Sequence, residues 1–261
     1  MSKPTVFVCG ITGTQGHALA ASFGDALTTV HGDYDNGAAS YDAMNGCTTL
    51  FLNLSPNFTD PTAESRHADS LLAAARAAGI THVIYSSGLS AAIEDKVRNA
   101  GFPHWTILRP GNFMANYTLP LVRMYPGLTS TGRWSTALLP DSVLPMVDPV
   151  TIGAFAAAAA LDPPRFHEQE IEIADQFMTL KELMPRLSAA AGRDLQAVYM
   201  TNEDVEAQKG ANPMVAAMLM MRDLSIFVDM AKVKSWGVPL SSFDRFLERE
   251  RARVLETYKN V

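Results

Sequence analysis

The chain has 261 residues, 48% hydrophobic and 18% charged, a globular composition that excludes a disordered or fibrous protein. A formal net charge of −6 argues against a nucleic-acid or anionic-membrane partner. The two cysteines, Cys9 and Cys47, form no metal or redox spacing, no stretch of 18 apolar residues could span a bilayer, and Met1-Ser2-Lys3-Pro4 leads straight to a strand, so a cytoplasmic protein without a metal is expected.

In chain order, Val6-Phe7-Val8-Cys9 is a short apolar run ending at a glycine and reads as a buried strand. A helix is expected over 14–23, a strand over Thr28-Thr29-Val30-His31, and a short helix over 38–46 ending at Gly46. Residues 49–54 read as a second buried strand, 61–78 as a helix with Leu71, Leu72 and Ala75 on one face, and 82–85 as another strand. A helix over 91–100 and a strand over 105–108, closed by Pro110, complete the alternation. Strands alternating with helices at this spacing specify an α/β fold, a Rossmann-type doubly wound parallel sheet. The rhythm loosens near 110–120. Residues 1–115 are therefore expected to form the α/β core, and 116–261 a smaller, mostly helical lobe. Asp148-Pro149 supplies an N-cap and a first-turn proline for a helix over 149–161. That helix and a strand over 170–174 are expected to pack back on the core. Helices are expected over 179–191, 213–232 and 242–258.

The strongest motif is Gly10-Ile11-Thr12-Gly13-Thr14-Gln15-Gly16, which follows a strand and opens a helix. Gly10 permits a tight turn, Gly13 lets the backbone approach a pyrophosphate, and Gly16 permits close packing of the helix. The helix start then offers free N–H groups to phosphate. Asp33 lies 23 residues after Gly10, near the spacing of an acidic residue that takes a ribose 2′-hydroxyl; it reads equally as a turn residue of Gly32-Asp33-Tyr34-Asp35.

Val8 to Gly16 resembles the opening of the NmrA-like family, an atypical branch of the short-chain dehydrogenase/reductases. His31-Gly32-Asp33-Tyr34-Asp35, Ile84-Tyr85-Ser86-Ser87 and the run from Thr106 to Asn116 resemble further family segments, over about residues 4–200. The resemblance implies a NAD(P)H-dependent reductase or a non-enzymatic redox-sensing regulator. It implies cofactor contacts at Gly10, Thr12, Gly13, Thr14, Gln15, Gly16, Asp33, Asn53, Ser55, Pro110 and Asn112.

Three departures from the family pattern stand out. Gly16 to Gly32 is too short for the usual passage, so one strand–helix unit is missing. No lysine or arginine occurs between Lys3 and Arg66, and a 2′-phosphate needs a cation, so NAD(H) is favoured over NADP(H), with no cofactor at all as a further alternative. No tyrosine is followed four positions on by lysine, and Ser90 stands where the family's reductases carry a lysine; Lys96, two turns on, points elsewhere by this reading.

Ser86 and Ser87, at the C-terminal end of a parallel strand, and Tyr117 are candidate catalytic groups, with strand-end capping and turn chemistry as the plainer alternatives. Phe113, Asn116, Trp134, Met218 and Phe227 are candidate substrate contacts. The methionines of 214–230 suit either a core helix or a lid over an apolar ligand. Three functions follow: NAD(P)H-dependent reduction or related tailoring of a small carbonyl or aromatic metabolite, a non-redox enzyme such as an isomerase, cyclase or dehydratase, or a dinucleotide-sensing regulatory protein. A small-molecule partner is expected, and a homodimer is compatible.

Overall fold

The structure is a computed structural model that describes residues 4–23, 28–32, 34–54, 60–88 and 90–261. In chain order the elements are β1 (Val6–Val8), α1 (Thr14–Phe23), α2 (Gly37–Met44), β2 (Thr49–Leu52), α3 (Ala63–Ala77), β3 (His82–Ser86), α4 (Ala91–Asn99) and β4 (His104–Pro110). There follow β5 (Asn112–Phe113), β6 (Arg133–Thr136), β7 (Val143–Val147), α5 (Pro149–Leu161), α6 (Pro163–Phe166), β8 (Gln169–Ile173) and β9 (Gln176–Thr179). The last are α7 (Leu180–Ala191), β10 (Gln196–Tyr199), α8 (Asn202–Gln208), α9 (Pro213–Met221), α10 (Met230–Ser235), α11 (Phe243–Arg249) and α12 (Arg251–Thr257). The chain divides into two compact units, Met1–Pro110 with Pro149–Glu172, and Gly111–Asp148 with Ile173–Val261.

The first unit carries a sheet of five strands among the described residues, in the order β1-β2-β3-β4-β8. β1 to β4 pair in parallel, with Val6 opposite Thr49, Thr49 opposite His82 and His82 opposite His104. Every residue of β2 and β3 is buried. That is why both strands read as continuous apolar runs rather than as an alternation. α3 turns Ala68, Leu71, Leu72 and Ala75 inward. α5 is apolar all round and accordingly mostly buried. It lies so close to α1 that a Cβ at Gly153 would come within 3.0 Å of the Ala18 and Leu19 backbone. This is the α/β Rossmann-type architecture expected.

The strand expected over 28–31 does not form. Thr28 to Gly32 run exposed and unpaired, leaving β1 at the edge of the sheet. One valine among two threonines, a histidine and a glycine is too little apolar surface to bury a strand on both faces.

The second unit holds a β5-β7-β9 sheet and a β10-β6 pair. β5 is parallel to β7, and β9 antiparallel to it. Gly111 precedes β5 because a Cβ there would strike the Pro145 carbonyl of β7. α7 opens on a Thr179–Glu182 capping box and closes on Gly192 at φ 63°. The single helix expected over 213–232 is instead α9, a 3-10 turn Leu224–Phe227 and α10. Arg222 folds back onto the Ala137 carbonyl, and Asp229 starts a new helix by accepting from the Ala231 and Lys232 amides. The helix expected over 242–258 is likewise two, broken at Glu250. Among the described residues no helix is long and apolar enough to cross a membrane.

Candidate functional site

The glycine loop joins β1 to α1 at the C-terminal edge of the sheet. Gly10 sits at φ 64°, a conformation L-residues rarely adopt, and its carbonyl accepts from the Gly13 amide at 2.8 Å. A Cβ at Gly16 would fall within 3.0 Å of the Gly10 carbonyl and the Ile11 Cα. Gly16 thus serves the close approach of the helix to its own loop, while packing of α1 on a neighbouring helix depends on Gly153. Thr12 and Gly13 are exposed, and Thr14 opens α1, whose first turn carries no acidic residue. An N-terminus free of carboxylates, fronted by a loop with no side chain at Gly13, fits a pyrophosphate.

Two neighbouring strands bring polar groups to this edge. Asn53, just past β2, places its amide nitrogen 3.5 Å from where a Gly10 Cβ would stand. Ser86, the last residue of β3, donates its hydroxyl to the Gln15 side chain at 2.5 Å. Cys9 is buried beside the loop, and burial pushes its thiol up to about 12, so it acts as a small apolar residue. Gly10, Gly13, Gln15, Asn53 and Ser86 therefore form one cluster. Asp33 and Ser55 lie outside the described residues.

Ser87 has a different setting. It is buried and donates to Glu94 Oε1 of α4 at 2.7 Å. Glu94 also takes Arg109 Nε at 2.9 Å and Arg98 at 2.9 Å. Arg109 continues to Glu170 and Glu172 of β8, and Arg98 to Glu170 and Asp95. Burial alone would raise the Glu94 carboxyl; hydrogen bonds from Arg109 and Ser87 outweigh it and hold Glu94 below the ordinary range. The Arg109 guanidinium is pushed upward, chiefly by its bond to Glu94. Arg109 was legible only as part of a motif; its role in tying β4 to α4 and β8 had no local signal. Lys96 reaches Asp69 and Ser65 of α3, away from Ser87's network. Pro110 ends β4.

The remaining candidates belong to the second unit. Asn112 is buried, with its amide nitrogen donating to the Tyr117 hydroxyl at 3.1 Å and toward Met146 Sδ, while its oxygen accepts from Asn116. Tyr117 is completely buried, packed with Tyr125, Trp134 and Phe243. Burial raises its phenol well above the ordinary value, which opposes the proton-donor role expected of it. Trp134 and Met218 are core residues, and the Met218 thioether receives the Thr136 hydroxyl and the Ala137 amide. Phe113 is half-buried. Phe227 is 65% exposed and Met220 71%, so the methionine segment shows one apolar face to solvent.

A parallel sheet with a glycine loop at its C-terminal edge places the chain in the Rossmann class of nucleotide-binding folds. Residues 25–259 match the NmrA-like family, and the chain belongs to that family. A NAD(P)H azoreductase of Xenophilus azovorans is 27% identical over 150 residues, which are 52% of this chain and 50% of that enzyme. The chain thus spans about half the length of that curated relative. A structure of NmrA, a negative transcriptional regulator, in complex with NAD superposes with a TM-score of 0.75 at 19% identity, covering 100% of this chain and 98% of that one. An NADPH-dependent quinone oxidoreductase from Escherichia coli gives 0.73 at 20% identity, over 94% and 99%. A Citrobacter sp. triphenylmethane reductase gives 0.73 at 17%, over 97% and 99%.

Proposed function

We propose that the protein is a NAD(P)H-dependent reductase of small, electron-poor conjugated acceptors such as quinones or azo compounds. The observation that carries the reading is the glycine loop, where Gly10 turns the chain at φ 64°, Gly13 presents bare, exposed backbone before a helix start free of carboxylates, and Gln15 is tied to Ser86. Gly10 to Gly16 with the start of α1 would hold the pyrophosphate, and Asn53 and Ser86 would border the dinucleotide on the β2 and β3 side. The bound dinucleotide supplies a hydride. Reduction of a quinone also takes up a proton, and the conjugated product anion can draw that proton from water, so no tyrosine–lysine pair is required. This accords with the lack of such a pair and with a Tyr117 hydroxyl sealed in a core. Relatives bearing the names azoreductase, quinone oxidoreductase and triphenylmethane reductase support the substrate class. NAD(H) is the favoured cofactor, since the cavity beside the loop has no lysine or arginine among its described lining residues.

The test is oxidation of NADH or NADPH, followed at its nicotinamide absorbance, on addition of a simple quinone or an azo dye. Turnover with a quinone supports the proposal. Nucleotide binding without turnover of any acceptor supports the second reading, a dinucleotide-sensing regulator, which is favoured by the engagement of both strand-end hydroxyls with Gln15 and Glu94.

A further inference from the structure

Along the outer side of β1 the sheet is unfinished. Among the described residues β1 pairs only with β2 and forms an edge. The Cys9 amide donates to the Phe51 carbonyl at 3.0 Å, and the Thr5 carbonyl accepts from the Thr49 amide at 3.2 Å. Backbone groups alternate sides along a strand, so Val6 and Val8 turn their amides and carbonyls away from β2. Natural edges are commonly blunted by a charge or a proline, and Val6-Phe7-Val8 carries neither. Two adjoining cavities of about 330 and 360 Å³ follow this edge, and Phe7, Val8, Ile11, Thr29, Val30 and Ala43 line both. Their far wall comes from residues 28–32, which are exposed and make no backbone hydrogen bond among the described residues. No lysine, arginine, aspartate or glutamate is among the described lining residues of either cavity. α1 takes the chain to Phe23, which leaves too few residues before Thr28 for a further strand with its turns.

We propose that this slot is a strand-docking site, which takes an extended, uncharged peptide segment of a separate protein between β1 and residues 28–32. The incoming strand exchanges backbone hydrogen bonds with Val6 and Val8 on one side and with 28–32 on the other, completing groups now left to solvent. Val6, Phe7, Ile11 and Val30 favour β-branched or aromatic side chains on that strand. An ionised side chain would lose hydration and meet no counter-charge. The unpaired β-branched run of this chain, 28–30, already forms the far wall, so a second copy could not donate it without dismantling its own slot. The inference stands without the dinucleotide reading.

The probe is a synthetic peptide of about five alternating valines and threonines with a lysine at each end for solubility. It is titrated calorimetrically into the whole chain as wild type, Val6→Pro and a Thr29→Pro/Val30→Pro double variant, each checked by circular dichroism and size-exclusion chromatography. Val6→Pro removes an outward amide at the first position of an edge strand, where proline is tolerated. The expected result is a wild type that binds and variants that bind at least about tenfold more weakly. N-methylation of either alternate set of peptide residues also abolishes binding, because both edges of the peptide are paired. Tolerance of one methylated set reduces the slot to a single open edge and overturns the proposal. Binding that survives the proline variants marks apolar adsorption and overturns it too, as does a wild type that binds no peptide. Should Val6→Pro unfold, the double variant carries the test, since its positions hold no ladder bonds. A wild-type dimer that the proline variants dissociate gives the slot to a second copy and overturns the separate partner.

Discussion

At the C-terminal end of β3, Ser86 and Ser87 give their hydroxyl protons to Gln15 and Glu94. At its N-terminal end, His82 is fully buried in a row of imidazoles, 6.1 Å from His104, which is 5.1 Å from His167. The Thr106 hydroxyl donates to the Phe166 carbonyl, so it must accept from His82 Nε2 at 2.9 Å. His82 therefore carries its proton on Nε2. Its Nδ1 is buried without a partner among the described residues, as are those of His104 and His167. One end of the strand is held by completed polar pairs, the other by burial that favours the neutral form of His82 and His104. The first arrangement fixes the orientation of both hydroxyls. The second makes the unit sensitive to acid.

The comparison can be broken most forcefully at Arg109. Its removal leaves Glu94 buried with fewer counter-charges, and Arg109→Ala is expected to lower unfolding free energy by about 3 kcal/mol in urea titrations. A loss below about 1 kcal/mol would make the network no more than a surface set of ion pairs. Next in size is Gly16→Ala, whose methyl meets the Gly10 carbonyl. Strain of about 2 kcal/mol is expected, with NADH affinity reduced roughly tenfold or more. Unchanged affinity would remove the loop from the binding site.

The histidine end is tested by pH. Burial, reinforced by His104 and His167, depresses His82 from 6.5 to about 3. The unfolded chain then takes the proton first, so this contribution is complete above about 6.5 and declines as pH falls toward about 3. At about 1.4 kcal/mol per pH unit, roughly 2 kcal/mol is gone at pH 5. Urea midpoints at pH 7 and pH 5 should converge in His82→Phe, and an undiminished acid loss in that variant would place the sensitivity elsewhere. Smallest is Ser86→Ala, which removes one neutral hydrogen bond worth about 1 kcal/mol. A thousandfold drop in quinone turnover with intact NADH binding would instead give Ser86 a direct part in the chemistry.

Much of the first unit was legible because its signals are local. The apolar runs of β2 and β3, the 3.6-residue stripe of α3 and the glycines at 10, 13 and 16 each follow from one segment's geometry. The second unit was harder to read. β5 is two residues long, and the alternation of Arg133, Trp134, Ser135 and Thr136 in β6 spans only four. The apolar run from Met214 to Met230 carries a helical period across breaks made by Arg222 and Asp229. Tyr117 and Trp134, read as site residues, belong to an aromatic core that assembles from β6, α11 and the segment after β5.

The glycine loop was the feature from which the sequence alone determined the fold. A strand, three spaced glycines and a helix constrain one another within a dozen residues, and backbone sterics at φ 64° leave little choice. Only the tertiary structure decided what surrounds it. Gln15 meets Ser86, Tyr34 meets His67, Asp35 meets Arg66, and Glu94 joins Ser87 to Arg109. These partners lie up to 71 residues apart. Charge and hydrogen-bond complementarity between such distant segments has no period and no spacing; it exists only once parallel pairing of β1 to β4 has brought their ends to one edge.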